Sequence, residues 1–342
     1  MKGLLKHLSP LAPDDSGACS VLYELGGIVV ICDAGGCAGN VCGFDEPRWH
    51  EKRSALFSAG LRDMDAILGR DDKLVEKLVK VTSQVGAEFT AIVGTPVPAV
   101  IATDFHALER MSERKTKLPC IAIPTDGTKL CDVGEQAAYM KLFERFAEDG
   151  HEVRKGLTGV LGATPLETGC TRAEQIVGGL EGEYVCFGMD SGLDAIRRAG
   201  ECERLLVISP SGLKAAEYLH KRFGTPYEFG YPCLPENVVV QVRGLKKKRV
   251  LIINQQIAAN ALRGQIKGCD VDCATWFMFD DNNSMYTDFR ITDEDVLNEK
   301  IAENDYDVIV ADRDLKRAIK GFEGEFIDFP HYAVSARLNN EN

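Results

Sequence analysis

Short β-branched or apolar runs recur along this chain, and each is closed by a turn and followed by a helix-patterned stretch. That order permits few folds. Runs at residues 28–31, 89–93 and 120–123 read as buried strands, interleaved with helical patterns at 14–25, 71–85, 100–114 and 136–148. In residues 71–85, Leu74, Leu78 and Val81 share one face, as an amphipathic helix requires. The pattern pauses near residues 150–156 and restarts with strands at 157–161, 184–187 and 205–208 and helices at 193–199 and 213–223. Residues 226–235, rich in proline, glycine and tyrosine, read as a linker. A third set follows: strands at 249–253, 274–279 and 308–311, helices at 257–266, 293–303 and 315–319, and the tail FIDFPHYAVSARL. Strand, turn and helix in repetition predict parallel sheets with helices on their faces. The expectation is an α/β protein of three Rossmann-like units, at residues 1–150, 151–235 and 236–342. No sequence repeat of fixed period accompanies them.

The first strand ends in CDAGGCAGNVCGF, where Gly35, Gly36 and Gly39 alternate with Cys32, Cys37 and Cys42. Glycine lets the backbone approach something bulky. Thiolates suit soft metals and iron–sulfur clusters. Other readings compete. A dinucleotide loop needs G-x-G-x-x-G, a spacing these glycines do not keep. Structural zinc takes closer cysteine pairs, and the other close pair, Cys269 and Cys273, is far along the chain. Cys32, at a strand end, also reads as a plain core residue. Asp33 is either an oxygen ligand or neighbour of such a group, or a turn residue capping the loop. Trp49 and His50 read as packing or surface residues.

Twelve cysteines and no export signal argue against a disulfide framework and for metal chemistry or a reducing cytoplasm. Cys120 and Cys186 lie in strand-like apolar runs and read as core. The formal charge of -12 argues against nucleic acid, since the one basic cluster, residues 246–249, reads as a solvated sheet edge. No apolar run reaches membrane-spanning length. Residues that follow predicted strands are candidates to line a cleft at the carboxyl ends of the sheets: Thr95, Asp126, Thr164 and Ser209.

Several segments, taken in order, resemble the nitrogenase component 1 superfamily: nitrogenase subunits, their cofactor scaffolds, dark protochlorophyllide reductase and the nickel-tetrapyrrole cyclase. DSGACSVLYELGGIVVICDAGGC is similar to the family's first helix, strand and H-G-x-x-G-C loop, and VGTPVPAVIATDF to its second strand and cysteine-proline turn. GVLGATPLE and LLVISPSGLKAAEYLHKRFGTPY resemble the opening and close of the second unit, and KRVLIINQQIAANAL and FIDFPHYAVSAR the start and end of the third. In this match Cys37 takes the place of the loop cysteine, and the loop histidine falls on Cys32. Thr95 stands where the second turn has its cysteine. The family's first cysteine falls on Pro13, with Cys19 one turn inside the helix, and Cys42 has no general counterpart. The cysteine and histidine that hold the nitrogenase catalytic cofactor find no match, so nitrogen fixation is not expected.

The resemblance implies a cytoplasmic homodimer or paralogous heterodimer with a [4Fe–4S] cluster between subunits. Cys37 and Cys42 from each chain would supply its thiolates, with Cys32 and Cys19 in reserve. Electrons would come from a separate ATP-dependent iron–sulfur reductase and pass to a bound substrate. A scaffold or carrier of a metallocluster or tetrapyrrole, without turnover, is the alternative, and a relative that has lost its metal is a third reading.

Overall fold

The computed structural model describes residues 5–335; the last three residues of the FIDFPHYAVSARL tail lie outside them. Among the described residues, thirteen strands form three sheets, and every pairing within them is parallel. The first holds β1 (Ile28–Ile31), β2 (Leu56–Ser58), β3 (Thr90–Val93) and β4 (Cys120–Ile123) in the order β2-β1-β3-β4. The second holds β5 (Arg154–Leu161), β6 (Glu183–Cys186), β7 (Cys202–Val207) and β8 (Tyr227–Phe229) as β6-β5-β7-β8. The third holds β9 (Arg249–Ile253), β10 (Asp270–Thr275), β11 (Phe289–Arg290), β12 (Val308–Ala311) and β13 (Glu325–Asp328) as β11-β10-β9-β12-β13. Strands β1, β3, β4 and β12 are buried along their whole length, which is why they read as mostly apolar runs rather than alternating ones. No helix among the described residues is long and apolar enough to cross a membrane.

Several elements differ from the sequence expectation. β2 lies in a stretch where the sequence pattern shows no strand, and β8 inside the expected linker; both are three-residue edge strands, too short to show a period. β10 uses Asp270–Thr275 instead of residues 274–279. Its register against β9 runs from Asp270↔Arg249 to Ala274↔Ile253, after which Trp276 and Phe277 turn into the core. The helix expected from residue 136 begins at Cys131 and ends at Phe146. The one expected over 100–114 is two, Pro96–Val100 and Phe105–Thr116, with Asp104 capping the second through Ala107 N.

Helix Cys131–Phe146 joins the units. It crosses helix Asp14–Leu22 where Gly17 and Gly134 remove the side chains; a Cβ at Gly134 would sit 1.7 Å from the Asp14 carbonyl oxygen. One hydrophobic core runs from the first sheet through this helix into the second, including Val29, Val93, Leu142, Phe187, Leu205 and Leu219. The third sheet is packed on both faces, and Leu8 and Ala12 cover part of one of them. That N-terminal segment is pinned by Glu294, whose carboxylate accepts from the amides of Lys6, His7 and Leu8.

Candidate functional site

β1 delivers the chain into the cysteine loop. Cys32 N donates to Val93 O, so the strand ladder continues one residue beyond β1. Asp33 then folds the loop back: one carboxylate oxygen accepts from Ala38 N at 2.9 Å and the other from the Ser58 hydroxyl at 2.5 Å. It is buried, and its bond to Ala38 N ties it to the first turn of the helix Gly36–Asn40. Gly35 sits at φ 121°, which a side chain would strain. Beyond the ideal Cβ positions of Gly35, Gly36 and Gly39 there is open space to 4 Å. A wider helical turn, Val41–Asp45, carries Cys42.

The six cysteines of residues 1–150 separate by burial. Cys19, Cys32, Cys120 and Cys131 are buried, whereas Cys37 and Cys42 are half-buried. Cys19 packs in the core on one face of the first sheet and Cys32 in the core on the other, so the two point apart. Burial pushes the Cys32 thiol up to about 12 and the Cys19 thiol far above its ordinary value. Cys37 and Cys42 are raised too, first by burial and then by acids, Asp15 and Asp33 for Cys37 and Glu46 for Cys42. A metal would have to displace those protons. Thr95 donates its hydroxyl proton to Cys32 O at 2.8 Å, with the hydroxyl oxygen near the Cys37 sulfur.

The loop rests on a buried polar floor. Asp45 accepts from the Ser16 hydroxyl and the Asn40 amide, both at 2.6 Å. Glu46 accepts twice from Arg48 at 2.7 Å, and Arg48 donates onward to Ser20 O and Gly188 O, tying the loop to the second unit. Asp15 has one orphaned carboxylate oxygen, and burial with neighbouring Asp14 raises it to about 7. Two half-exposed thiols with glycine-lined space beside them fit half of a four-thiolate cluster site. The surrounding carboxylates oppose the negative charge such a group carries, an opposition that a protonated Asp15 lessens.

A second polar centre lies where the carboxyl ends of the second and third sheets face the start of helix Cys131–Phe146. Thr164 follows β5 and donates to Glu135 at 2.6 Å; Ser209 follows β7 and accepts from the Ser211 hydroxyl. Gln255, after β9, donates to Ile208 O at 2.7 Å and bridges the two sheets. Thus Thr164 and Ser209 come together here. Thr95 stays at the cysteine loop. Asp126 binds Thr128 and Lys129, and its amide meets Asp14. Cys131, Glu135, Glu167 and His331, which the sequence reading did not single out, converge with Thr164 and Ser209. Burial and Glu167 drive the Glu135 carboxyl up; burial and Asp132 do the same to Glu167. His331 is lowered to about 4 by burial.

The family model for nitrogenase component 1 type oxidoreductases matches residues 16–258. The chain belongs to that family. A solved structure of nitrogenase Cp1 at pH 6.5 superposes with TM-score 0.72 at 10% identity, over 99% of this chain and 91% of that one. Nitrogenase Cp1 at pH 5 gives TM-score 0.70 at 12% identity, over 98% and 86%. No curated protein matches the chain. Membership implies iron–sulfur chemistry of the nitrogenase-like oxidoreductases and their scaffolds.

Proposed function

We propose that this chain is a subunit of a nitrogenase-like iron–sulfur oxidoreductase, joined to a second copy or a paralogue around one [4Fe–4S] cluster. The observation that carries this reading is the sorting of the first unit's cysteines: only Cys37 and Cys42 reach the surface, and both lie on the glycine-lined loop. Two chains would supply four thiolates. When bound, the cluster supplies one-electron transfer, from an ATP-dependent reductase to a substrate. Asp33 holds the loop in shape, Gly35 and Gly36 leave room for the approach, and Thr95 places a hydroxyl beside Cys37. Cys19 and Cys32 are too buried to serve unless the loop opens. Thr164 and Ser209 belong to the substrate side, beyond the carboxyl ends of β5 and β7.

The test is purification without oxygen. The wild type should carry about four iron atoms and four sulfides per dimer. Cys37→Ala and Cys42→Ala should each lose most of that iron while keeping the wild-type circular dichroism. Iron content unchanged in both variants overturns the assignment. Turnover with a partner reductase and ATP marks an oxidoreductase; a cluster that is reduced without converting any bound compound marks a carrier.

A further inference from the structure

Helix Cys131–Phe146 opens with Cys131 and Glu135 one turn apart on one face. Glu167 meets them from the short helix after β5 (Pro165–Thr168). The Cys131 sulfur and one carboxylate oxygen from each glutamate lie within 4.8 Å of one another. His331, just past β13, brings Nε2 to 3.8 Å from a Glu167 oxygen. All four side chains are at most 2% exposed.

What these groups lack is as informative as what they touch. Both Glu167 oxygens, one Glu135 oxygen and both His331 ring nitrogens have no hydrogen-bond partner. The Ser209 and Ser211 hydroxyls are near enough to favour charge on Glu167 and Glu135, yet Ser211 donates to Ser209 instead. Among the described residues, no lysine or arginine pairs with either glutamate. A fully buried carboxylate without a cation or donor costs several kcal/mol, and five orphaned polar atoms at one point compound that cost. A cation at this point would satisfy most of them at once.

We propose that Cys131, Glu135 and Glu167, with His331 as a fourth donor, bind a single divalent transition-metal ion at the junction of the three sheets, separate from the cysteine loop. One sulfur, two carboxylates and an imidazole form a borderline-soft set that suits Zn²⁺ or Fe²⁺ and disfavours Ca²⁺ and Mg²⁺, which take oxygen shells. Donors around a tetrahedral ion sit about 3.2–3.8 Å apart. For Cys131, Glu135 and Glu167, closing from within 4.8 Å to that spacing is on the scale of side-chain rotation. Binding releases the Cys131 proton and fixes the start of helix Cys131–Phe146 to β5 and β13.

Co²⁺ titration of the chelator-treated, anaerobic protein tests this in the Cys37→Ala/Cys42→Ala background, so that the cysteine loop contributes nothing. The expected result is one tightly bound Co²⁺ per chain, with a thiolate-to-cobalt charge-transfer band and tetrahedral visible bands. Zn²⁺ should displace the Co²⁺ and raise the melting temperature. Glu167→Gln should weaken binding at least about tenfold, and Cys131→Ser should abolish the charge-transfer band while some binding remains. If Cys131→Ser does not fold, Glu167→Gln and the parent titration still decide. Less than a tenth of an equivalent bound by the parent, or binding without a thiolate band, overturns the site; so does Glu167→Gln binding as tightly as the parent. If protons rather than a metal neutralise the centre, Glu167→Gln melts higher than the parent and added Zn²⁺ changes neither.

Discussion

Arg48 shows how much one buried charge commits a structure to. Its guanidinium is 2% exposed, and it answers Glu46 at 2.7 Å, Glu24 at 3.4 Å and the Ser20 and Gly188 carbonyls. Removing one partner of such a pair leaves the other charge buried alone, a cost of about 3–5 kcal/mol. Arg48→Met should therefore melt well below the wild type in thermal denaturation. The double variant Arg48→Met/Glu46→Gln should recover more than half of that loss, and equal melting of the two variants would show that Glu46 is not the stranded charge. Nothing in the sequence around EPRWH distinguishes Arg48 from a surface arginine, because its partners lie 2, 24, 28 and 140 positions away. Cys37 was legible because its neighbours are glycines, whose meaning is local. Glu167 was hidden for the opposite reason. Thr164-Pro-Leu-Glu167 reads as a helix cap, and Thr164 does lie near Glu167 N at 3.4 Å, so the local reading accounts for the residue before its long-range partners are known.

At the scale of elements, what was legible followed burial and length. β1, β4, β9 and β12 fall where the sequence puts them, since parallel strands covered on both faces carry nearly continuous apolar runs. β2 and β8 were not, because each is only three residues long and partly exposed, so neither carries a continuous apolar run. The crossing of helices Asp14–Leu22 and Cys131–Phe146 was equally silent: a glycine in a helix reads locally as a weakness, and here two of them set the interhelical distance. Gly134→Ala would put a methyl 1.7 Å from the Asp14 carbonyl oxygen, a backbone atom that cannot swing aside. The helices would have to separate across the core shared by the first two sheets. A loss of about 2–4 kcal/mol is expected in urea unfolding. Gly39→Ala, with open space around its Cβ and a helical position, should be neutral or stabilising by up to about 1 kcal/mol. Gly134→Ala as stable as the wild type would mean that the two helices do not meet as closely as the structure has them.

For the whole molecule, three parallel sheets in sequence order followed from the repeated strand–helix pattern, whereas the way they pack did not: the N-terminal segment lies against the third sheet, and helix Cys131–Phe146 serves all three. The surface around the cysteine loop adds an apolar component to the proposed assembly. Phe44, two residues beyond Cys42, is 52% exposed. Val97, Val100 and Ile101 are exposed on and beside the helix that follows Thr95, with Val100 at 84%. The two patches are linked: a cavity of about 520 Å³ is lined by Phe44, Asn40, Pro10–Pro13 and Gly127, and Gly127 packs on Pro96. Exposed apolar groups clustered beside half-exposed thiols are what an interface sharing a cluster requires, since water must be excluded where the thiolates meet. If Cys37 and Cys42 are completed by a second chain, breaking this surface should cost the iron even with every cysteine in place. Val100→Glu, and separately Phe44→Glu, should convert the iron-loaded dimer to monomer in sedimentation under anaerobic conditions and lower iron per chain by at least about tenfold. Val153→Glu, at another exposed apolar position, should leave both unchanged. A Val100→Glu protein that stays dimeric with full iron would place the interface elsewhere. A monomer that keeps its iron would mean that one chain completes the site alone, with thiols now buried in this fold.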